Sequence, residues 1–468
     1  MATTIEQEPL YTQMPVGQDV IFTIANPTIV AAQIRVKFIA EVYISSTTVA
    51  DYSLIGTFKT TPNNAGVGMF DFRPVVENYV KADNMAANGS EYKGTTTDDD
   101  TPHALQLIDK FSTNDNSVRY LQVVFTTEYF DTTNNVMTTD GTAATSTDYT
   151  LVNGYLKYTD ILNIFDGQFG YSLSNFNPTA AISATKKFLT NAPATQYANV
   201  DDYGTVSFLT PTVGVANDVD SITFTYYDSA GSSIGTPDVV YRTTANGAYD
   251  VWTGDASNEM IHFGCFPANL QNWSSTFQGL VSAGTIQGGH YIIQAKGAAP
   301  ASWSSVQAYT IYVNCADLRN YESIRISWLN QWGAWDYYTF TKKSTRSMAT
   351  NGTTYEQLAG TWNESKYRID SFKGGKKAFR VNSTEKIRMN SDYVGEEFNT
   401  MFEELINSPE VYLLDSFQTD GTYSSFNQYI TPVRLTTSSF TRKTIANDKL
   451  IQYTFEIEKS KTLRTQSV

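Results

Sequence analysis

The chain has 468 residues, of which 13% are aromatic and 17% charged, with two cysteines and a net charge of −14. That length supports several cores. Two cysteines exclude a disulfide framework or a Cys-rich zinc site, and few charges with many aromatics exclude a disordered composition.

Residues 1–317 carry 13 Lys+Arg against 30 Asp+Glu, a net of −17, whereas 318–468 carry 20 against 17, a net of +3. The acidic part does not suit nucleic-acid binding, which needs cationic phosphate contacts. The change of sign marks a domain border near Leu318. Abundant Thr and aromatics fit strands, and Asn, Gly and Ser make turns, so the expected class is mainly β, with antiparallel sandwich or barrel-like domains. The opening "MATTIEQEPLYTQMP" lacks the basic and apolar regions of a signal peptide. No run approaches the about 18 apolar residues of a membrane helix. The expectation is a soluble chain made in a cytoplasm, with no membrane insertion.

Three domains are expected, over 1–195, 196–316 and 317–468. In the first, "QIRVKFIAEVYIS" (33–45) alternates apolar Ile34, Val36, Phe38, Ala40, Val42 and Ile44 with mostly polar neighbours, the period of a strand. A loop over Pro62–Gly68 leads to a short helix entered at Asp71 and Pro74 and carrying Val75, Val76, Tyr79 and Val80. Residues 82–103 read as an exposed loop, 119–130 as a strand, and 132–148 as a long hairpin tip. A short helix is expected around Tyr158–Phe165.

In the second domain, β-like runs at 204–210 and 221–227 precede a turn at Asp228–Gly231. Further β-like runs, "YDVW", "MIHFGCF", "GHYIIQAKG" and "VQAYTIYVNC", complete a small sandwich. The third domain opens with a hairpin. Ile324, Ile326 and Trp328 alternate, Gln331–Gly333 break the run, and Trp335, Tyr337 and Thr339 resume it. One helix is expected over about 391–407, from the spacing of Val394, Phe398, Met401, Phe402, Leu405 and Ile406, with Asn390 or Ser391 as N-cap. After a turn at Asn447–Asp448, a last strand alternates Ile451, Tyr453, Phe455 and Ile457.

Catalytic signatures are missing from the sequence. His103, His262 and His290 sit in three unrelated contexts, and no GxSxG, HExxH, P-loop or GxGxxG pattern occurs. "FKGGKKAF" (372–379) lacks P-loop spacing and reads as a solvated basic turn. The acidic stretches "TTTDDDTPH" (95–103) and "ANDVDS" (216–221) lack the ligand order of a calcium loop. Cys265 and Cys315 read as two buried thiols rather than a bridge. No cofactor, metal or enzymatic activity is expected. The aromatics remain. Trp328, Trp335 and Tyr337 share strand faces and suit core packing, a subunit interface or a ligand platform. Trp332, Trp335 and Tyr337 are the candidate subunit-interface residues, with Trp332 at the turn the strongest.

The segment "IRISWLNQWGAWDYYTFTKKS" resembles one found in tail and baseplate structural proteins of tailed bacteriophages, the distal-tail-protein-like family. Leu329, Asn330, Gly333, Trp335, Asp336, Tyr337, Tyr338, Phe340 and Lys342 match it. Within Gln331–Trp332, where a basic residue and then an aromatic or Leu are expected, Gln331 is the departure. "IEQEP", "FIAEVYI", "PNNAGVGMFDFRPVVENYV" and "FLTNAP" upstream, and "NDKLIQYTFEIE" downstream, are similar to the same proteins. The resemblance covers both ends well and the middle poorly.

It implies a virion component of a phage tail, assembled in the host cytoplasm. Such a protein forms a ring, often a hexamer, around the DNA conduit and docks other tail proteins. DNA passes through without specific binding. The alternative is a carbohydrate-recognising adhesin or receptor-binding protein.

Overall fold

The computed structural model describes residues 2–9, 13–46, 51–82, 103–107, 110–114, 117–155, 164–165, 168–169, 188–210, 219–241, 259–297, 308–315, 321–362, 365–414, 430–444, 451–461 and 463–464. The protein is mainly β, with several antiparallel sheets and few helices. The described residues fall into two compact units. One lies within Met1–Ala316 and Leu329–Asp336, the other within Asp317–Trp328, Tyr337–Asp420 and Ser425–Val468. The position 195–196 lies inside the first unit.

The first unit starts with β1 (Thr4–Gln7), β2 (Gln13–Pro15), β3 (Ile21–Ala25) and α1 (Pro27–Ala32). Asn26 caps α1 by accepting the Ile29 N–H at 3.3 Å, and Pro27 at the first helical turn forfeits no hydrogen bond there. Then come β4 (Ile34–Ser45), β5 (Ser53–Thr60), β6 (Val67–Asp71) and α2 (Arg73–Val76), whose start Asp71 holds by accepting the Arg73 N–H at 3.0 Å. Next are β7 (Phe111–Asn114), β8 (Val118–Asp131), β9 (Val136–Thr139), β10 (Ala144–Thr145) and β11 (Tyr149–Val152), followed by the short pair β12 (Ile164–Phe165) and β13 (Gln168–Phe169).

One sheet has the order β1-β3-β6. The other has the order β2-β11-β8-β4-β5, with β9 and β10 also on β8. Their inner faces meet through phenylalanines. Phe125 of β8 lies 5.5 Å from Phe22 of β3 and 5.9 Å from Phe70 of β6. Aliphatic side chains of β4 and β8 complete this core, which is the alternation of buried and exposed positions expected for packed sheets.

Three details differ from the sequence expectation. Ile34 is exposed although it obeys the alternation. Arg35 has φ +55° and the β4–β8 register shifts between Ile34 and Lys37, so a bulge turns the strand's first residue outward. Residues 132–148 are not a long hairpin tip. A four-residue turn with Asn135 at φ +54° returns the chain at once, with Asp131 opposite Val136. Of the helix expected around Tyr158–Phe165, only Ile164–Phe165 are described, and they are strand β12. Residues 83–102, which hold most of the expected loop and of the acidic 95–103 stretch, lie outside the described residues, as do "YDVW" (249–252) and Asn447–Asp448.

The unit continues with β14 (Thr195–Ala198), β15 (Thr205–Thr210), β16 (Val219–Tyr227), β17 (Asp238–Tyr241) and β18 (Glu259–Gly264). Helices α3 (Pro267–Trp273) and α4 (Ser275–Ser282) precede β19 (His290–Gly297) and β20 (Tyr309–Val313). The sheets are β14-β20-β19-β16-β17 and β15-β18-β7. Phe224 of β16 and Phe263 of β18 meet at 6.0 Å. The sandwich is therefore real, but its smaller sheet borrows β7 from well upstream. At the Asp228–Gly231 turn, Gly231 has φ +80° and Asp228 Oδ1 accepts the Ala230 and Ser232 N–H groups. Helices α3 and α4 are additions to the expected sandwich.

The second unit is built on β21 (Ile324–Leu329), β22 (Trp335–Phe340), β23 (Thr345–Gln357), the short β24 (Gly360–Thr361) and β25 (Arg368–Ile369), and β26 (Gly375–Asn390). Helix α5 (Phe398–Asn407) and strands β27 (Val411–Leu414), β28 (Ile430–Leu435), β29 (Thr454–Lys459) and β30 (Leu463–Arg464) complete it. The eight-stranded sheet runs β22-β21-β27-β28-β29-β26-β23, with β30 on β26. Helix α5 lays Phe402 against Tyr338 at 5.0 Å and Phe455 at 5.4 Å.

The helix begins at Phe398, not near 391. Ser391 donates its N–H to Tyr453 O at 2.8 Å, and Val394 bridges Ile451, so residues 391–394 extend the strand pairing instead. No helix among the described residues is long and apolar enough to cross a membrane.

Candidate functional site

The turn between β21 and β22 belongs to the first unit. Asn330 organises it. Its Oδ1 accepts the N–H groups of Trp332 at 3.0 Å and Ala334 at 3.1 Å, and its Nδ2 donates to Leu189 O at 2.9 Å. Gly333 has φ +75°, and a Cβ there would lie 1.7 Å from Asn153 O. Tyr155 N–H donates to Gln331 O at 2.9 Å. The turn is thus docked backbone to backbone on residues 153–155. Trp332 and Ala334 join an apolar cluster with Val118, Val152, Leu189, Leu209 and Met260.

The three candidate interface residues are buried inside the single chain: Trp332 at 3% exposure, Trp335 at 2% and Tyr337 at 4%. Trp335 lies 5.3 Å from the His103 ring. In the second unit, Tyr337 lies under the Arg325 guanidinium at 5.3 Å, and Trp328 is also buried. The aromatic-rich stretch is packing, and it leaves a neighbouring subunit almost no surface to touch.

Asp336 is the most perturbed carboxyl. Burial pushes it up to about 7, and hydrogen bonds with Thr190 and Asn330 oppose part of that rise. Thr190 Oγ1 donates to Asp336 Oδ1 at 2.6 Å and accepts the Ala192 N–H. A perturbed acid can mark a catalytic site, but here the carboxyl is sealed inside a turn and serves to pin it.

His262 of β18 faces Ser207 of β15, with Nδ1 and Oγ 2.7 Å apart. Burial holds this imidazole down to about 3, with nearby His103 adding to the effect, so it is neutral. The pair is a Ser–His contact in name only. Both residues are buried cross-strand neighbours, inaccessible to a substrate. His103 Nδ1 accepts the Leu105 N–H, and His290 is stacked 4.8 Å from Tyr227. The three histidines therefore do not converge on an open site. Cys265 is buried, Cys315 is half-buried, and both are free thiols. No cluster of three or more potential metal ligands occurs among the described residues.

The feature that the sequence reading passed over is the ribbon β23–β26. Positions 345–354 of β23 are all exposed. β26 pairs β29 only over Lys386–Asn390 and β30 only at Asn382–Ser383, whereas β23 follows it down to Gly375. Beyond Asn382, the two strands have no third strand beside them among the described residues. At their far end, the β24–β25 pair is pinned by Thr361, which donates to Asp370 at 2.6 Å and accepts from Lys373 Nζ at 2.5 Å.

This tip displays Leu358, Trp362, Tyr367, Ile369, Phe372 and Phe379, all exposed, with Trp362 at 83%. The available signal was the mixture itself. Residues 358–380 hold six Lys+Arg among these aromatics, of which only "FKGGKKAF" stood out, as a basic turn.

No family model and no curated protein matches the chain. Among solved structures, the chain is similar to trypsin-activated alpha-2-macroglobulin from Escherichia coli at a TM-score of 0.17 and 8% identity, over 97% of this chain and 23% of that one. The chain thus spans under a quarter of that protein's length, and so loose a superposition carries no argument about function.

Proposed function

We propose that this chain acts by assembly, as a ring-forming structural component of a bacteriophage tail or baseplate that docks other tail proteins around the DNA conduit. One observation supports this reading above the others: the internally pinned ribbon with an apolar, basic tip in the second unit. An exposed patch of large apolar side chains on an otherwise well-packed protein is the mark of an interaction surface. The resemblance of the "WLNQWGAWDYYTF" region to tail proteins supplies the biological setting.

The carbohydrate-recognition alternative placed its platform on Trp332 and Trp335, and both indoles are buried, which removes support for that version. The test is direct imaging. Negative-stain micrographs of the purified chain, alone and with neighbouring tail proteins, are expected to contain closed rings with one copy number. A monomer under every such condition overturns the reading.

A further inference from the structure

We propose that the ribbon tip of one copy docks on the acidic first unit of a second copy, an inference that rests on the ring-assembly reading above. Four observations lead there. The first is apolar exposure. Of the sixteen large hydrophobics exposed among the described residues, seven lie between 345 and 390. Trp, Tyr and Phe at that density are what interface hot spots are made of.

The second is charge. Residues 345–390 hold nine Lys+Arg and four Asp+Glu, a net of +5, against −17 for residues 1–317. At the tip, Lys366, Lys376 and Arg380 are exposed and have no ion-pair partner among the described residues. A basic, apolar probe and an acidic body in the same sequence are complementary, so the partner is already present in every copy.

The third is an edge. Among the described residues, β23 is the last strand of its sheet, and between Arg346 and Glu356 it carries no charge. Natural edge strands that long are normally blunted by charge, proline or a cover. The fourth is order without support. A two-stranded ribbon alone is marginal, yet this one is held at its tip by the Thr361–Asp370–Lys373 contacts. A preformed probe loses less entropy on docking. Because a tip meeting a body is a heterologous contact, repetition closes a ring or propagates a filament.

The experiment replaces Trp362 with the photo-crosslinker p-benzoylphenylalanine in the full-length chain, and mixes isotopically heavy and light copies before irradiation. The expected result is heavy–light crosslinks from position 362 to residues 1–316. Crosslinks confined to one copy, crosslinks to co-purified nucleic acid, or none at high protein concentration overturn the proposal.

In parallel, the triple variant Lys366→Glu/Lys376→Glu/Arg380→Glu is expected to weaken self-association in sedimentation at least about tenfold, as charge reversal across complementary surfaces does. Trp362→Ala is expected to weaken it with no change in charge. Unchanged association in both variants, with the wild-type circular dichroism spectrum, overturns the proposal. The two readings fail separately. Closed rings whose crosslinks avoid the first unit sink the ribbon contact and spare the ring, whereas heavy–light crosslinks in particles that never close do the reverse.

Discussion

Replacing Gly333 with alanine tests whether the turn is held by backbone contact rather than by its aromatic rings. Two costs add. At φ +75°, an L-residue loses about 1–2 kcal/mol relative to glycine. The new methyl would also lie 1.7 Å from Asn153 O, half of a normal contact, so the turn must lift away. Lifting it loosens Trp332 from Val118, Val152, Leu189, Leu209 and Met260, and losing a buried tryptophan's packing outright costs about 3–5 kcal/mol. With partial relaxation, the total is about 3–6 kcal/mol, a large part of the about 5–15 kcal/mol that holds a domain together.

The assay is urea unfolding followed by near-UV circular dichroism, where an m-value of about 3 kcal/mol/M turns this loss into a midpoint shift of about 1–2 M. Two controls separate the costs. Gly284 has φ +70° with nothing within 4 Å, so Gly284→Ala carries the dihedral cost alone. Gly352 has no positive φ, and its nearest prospective neighbour is at 3.4 Å, so Gly352→Ala should change stability little. If Gly333→Ala shifts the midpoint no more than Gly284→Ala does, the docking of the turn on residues 153–155 is wrong.

The buried titrating groups should give opposite pH slopes. Asp336 is raised from 3.8 to about 7, so its contribution is present below 3.8 and lost as pH rises through about 7; Asp336→Asn should flatten that limb, worth up to about 4 kcal/mol. His262 is lowered from 6.5 to about 3, so its contribution is present above 6.5 and lost as pH falls toward about 3; His262→Gln should flatten the acid limb in thermal melts from pH 3 to 8. Ser274 caps α4 by accepting the Phe277 N–H at 2.9 Å and donates to Asp238, so Ser274→Ala should cost about 1–2 kcal/mol in chemical denaturation. Trp362→Ala, at an 83% exposed position, should leave the unfolding free energy of the dissociated chain, measured by chemical denaturation, within the scatter of neutral surface changes, about 0.5 kcal/mol.

Strands with one buried face were legible because burial and alternation coincide. Val36 to Ile44 and Ile451 to Ile457 are buried on the alternation expected of them. Where a local backbone feature intervened, the pattern misled. The bulge at Arg35 turned Ile34 outward, and the Val394–Ile451 bridge took residues that the helical spacing of Val394 and Phe398 had claimed. Helices α3 and α4 did carry signals, Pro267 at the first helical turn and Ser274 as cap, but these were masked by the surrounding β-like runs.

Pairings across long separations, such as β7 with β18, have no local signature at all. The site was legible in part. Asn330, Gly333 and Asp336 were singled out as matched residues of the turn, and each has a structural duty there. That Trp332 is covered by Val118, Leu189 and Met260 depends on strands far away in sequence, which spacing within the hairpin cannot reveal.

The turn Leu329–Asp336 also sets an order of events during synthesis. Asn330 reaches back to Leu189 across 141 residues, and ribosomes add about 5–20 residues per second. For about 7–28 s, therefore, the Leu189 carbonyl and the apolar surfaces beside it wait for the segment that covers them. A fragment stopped at Ala316, where the charge balance invites a cut, would carry that open surface permanently. Shortening the chain there should yield a first unit that is sticky in proportion to its concentration, and a synthetic peptide spanning the hairpin should restore its solubility.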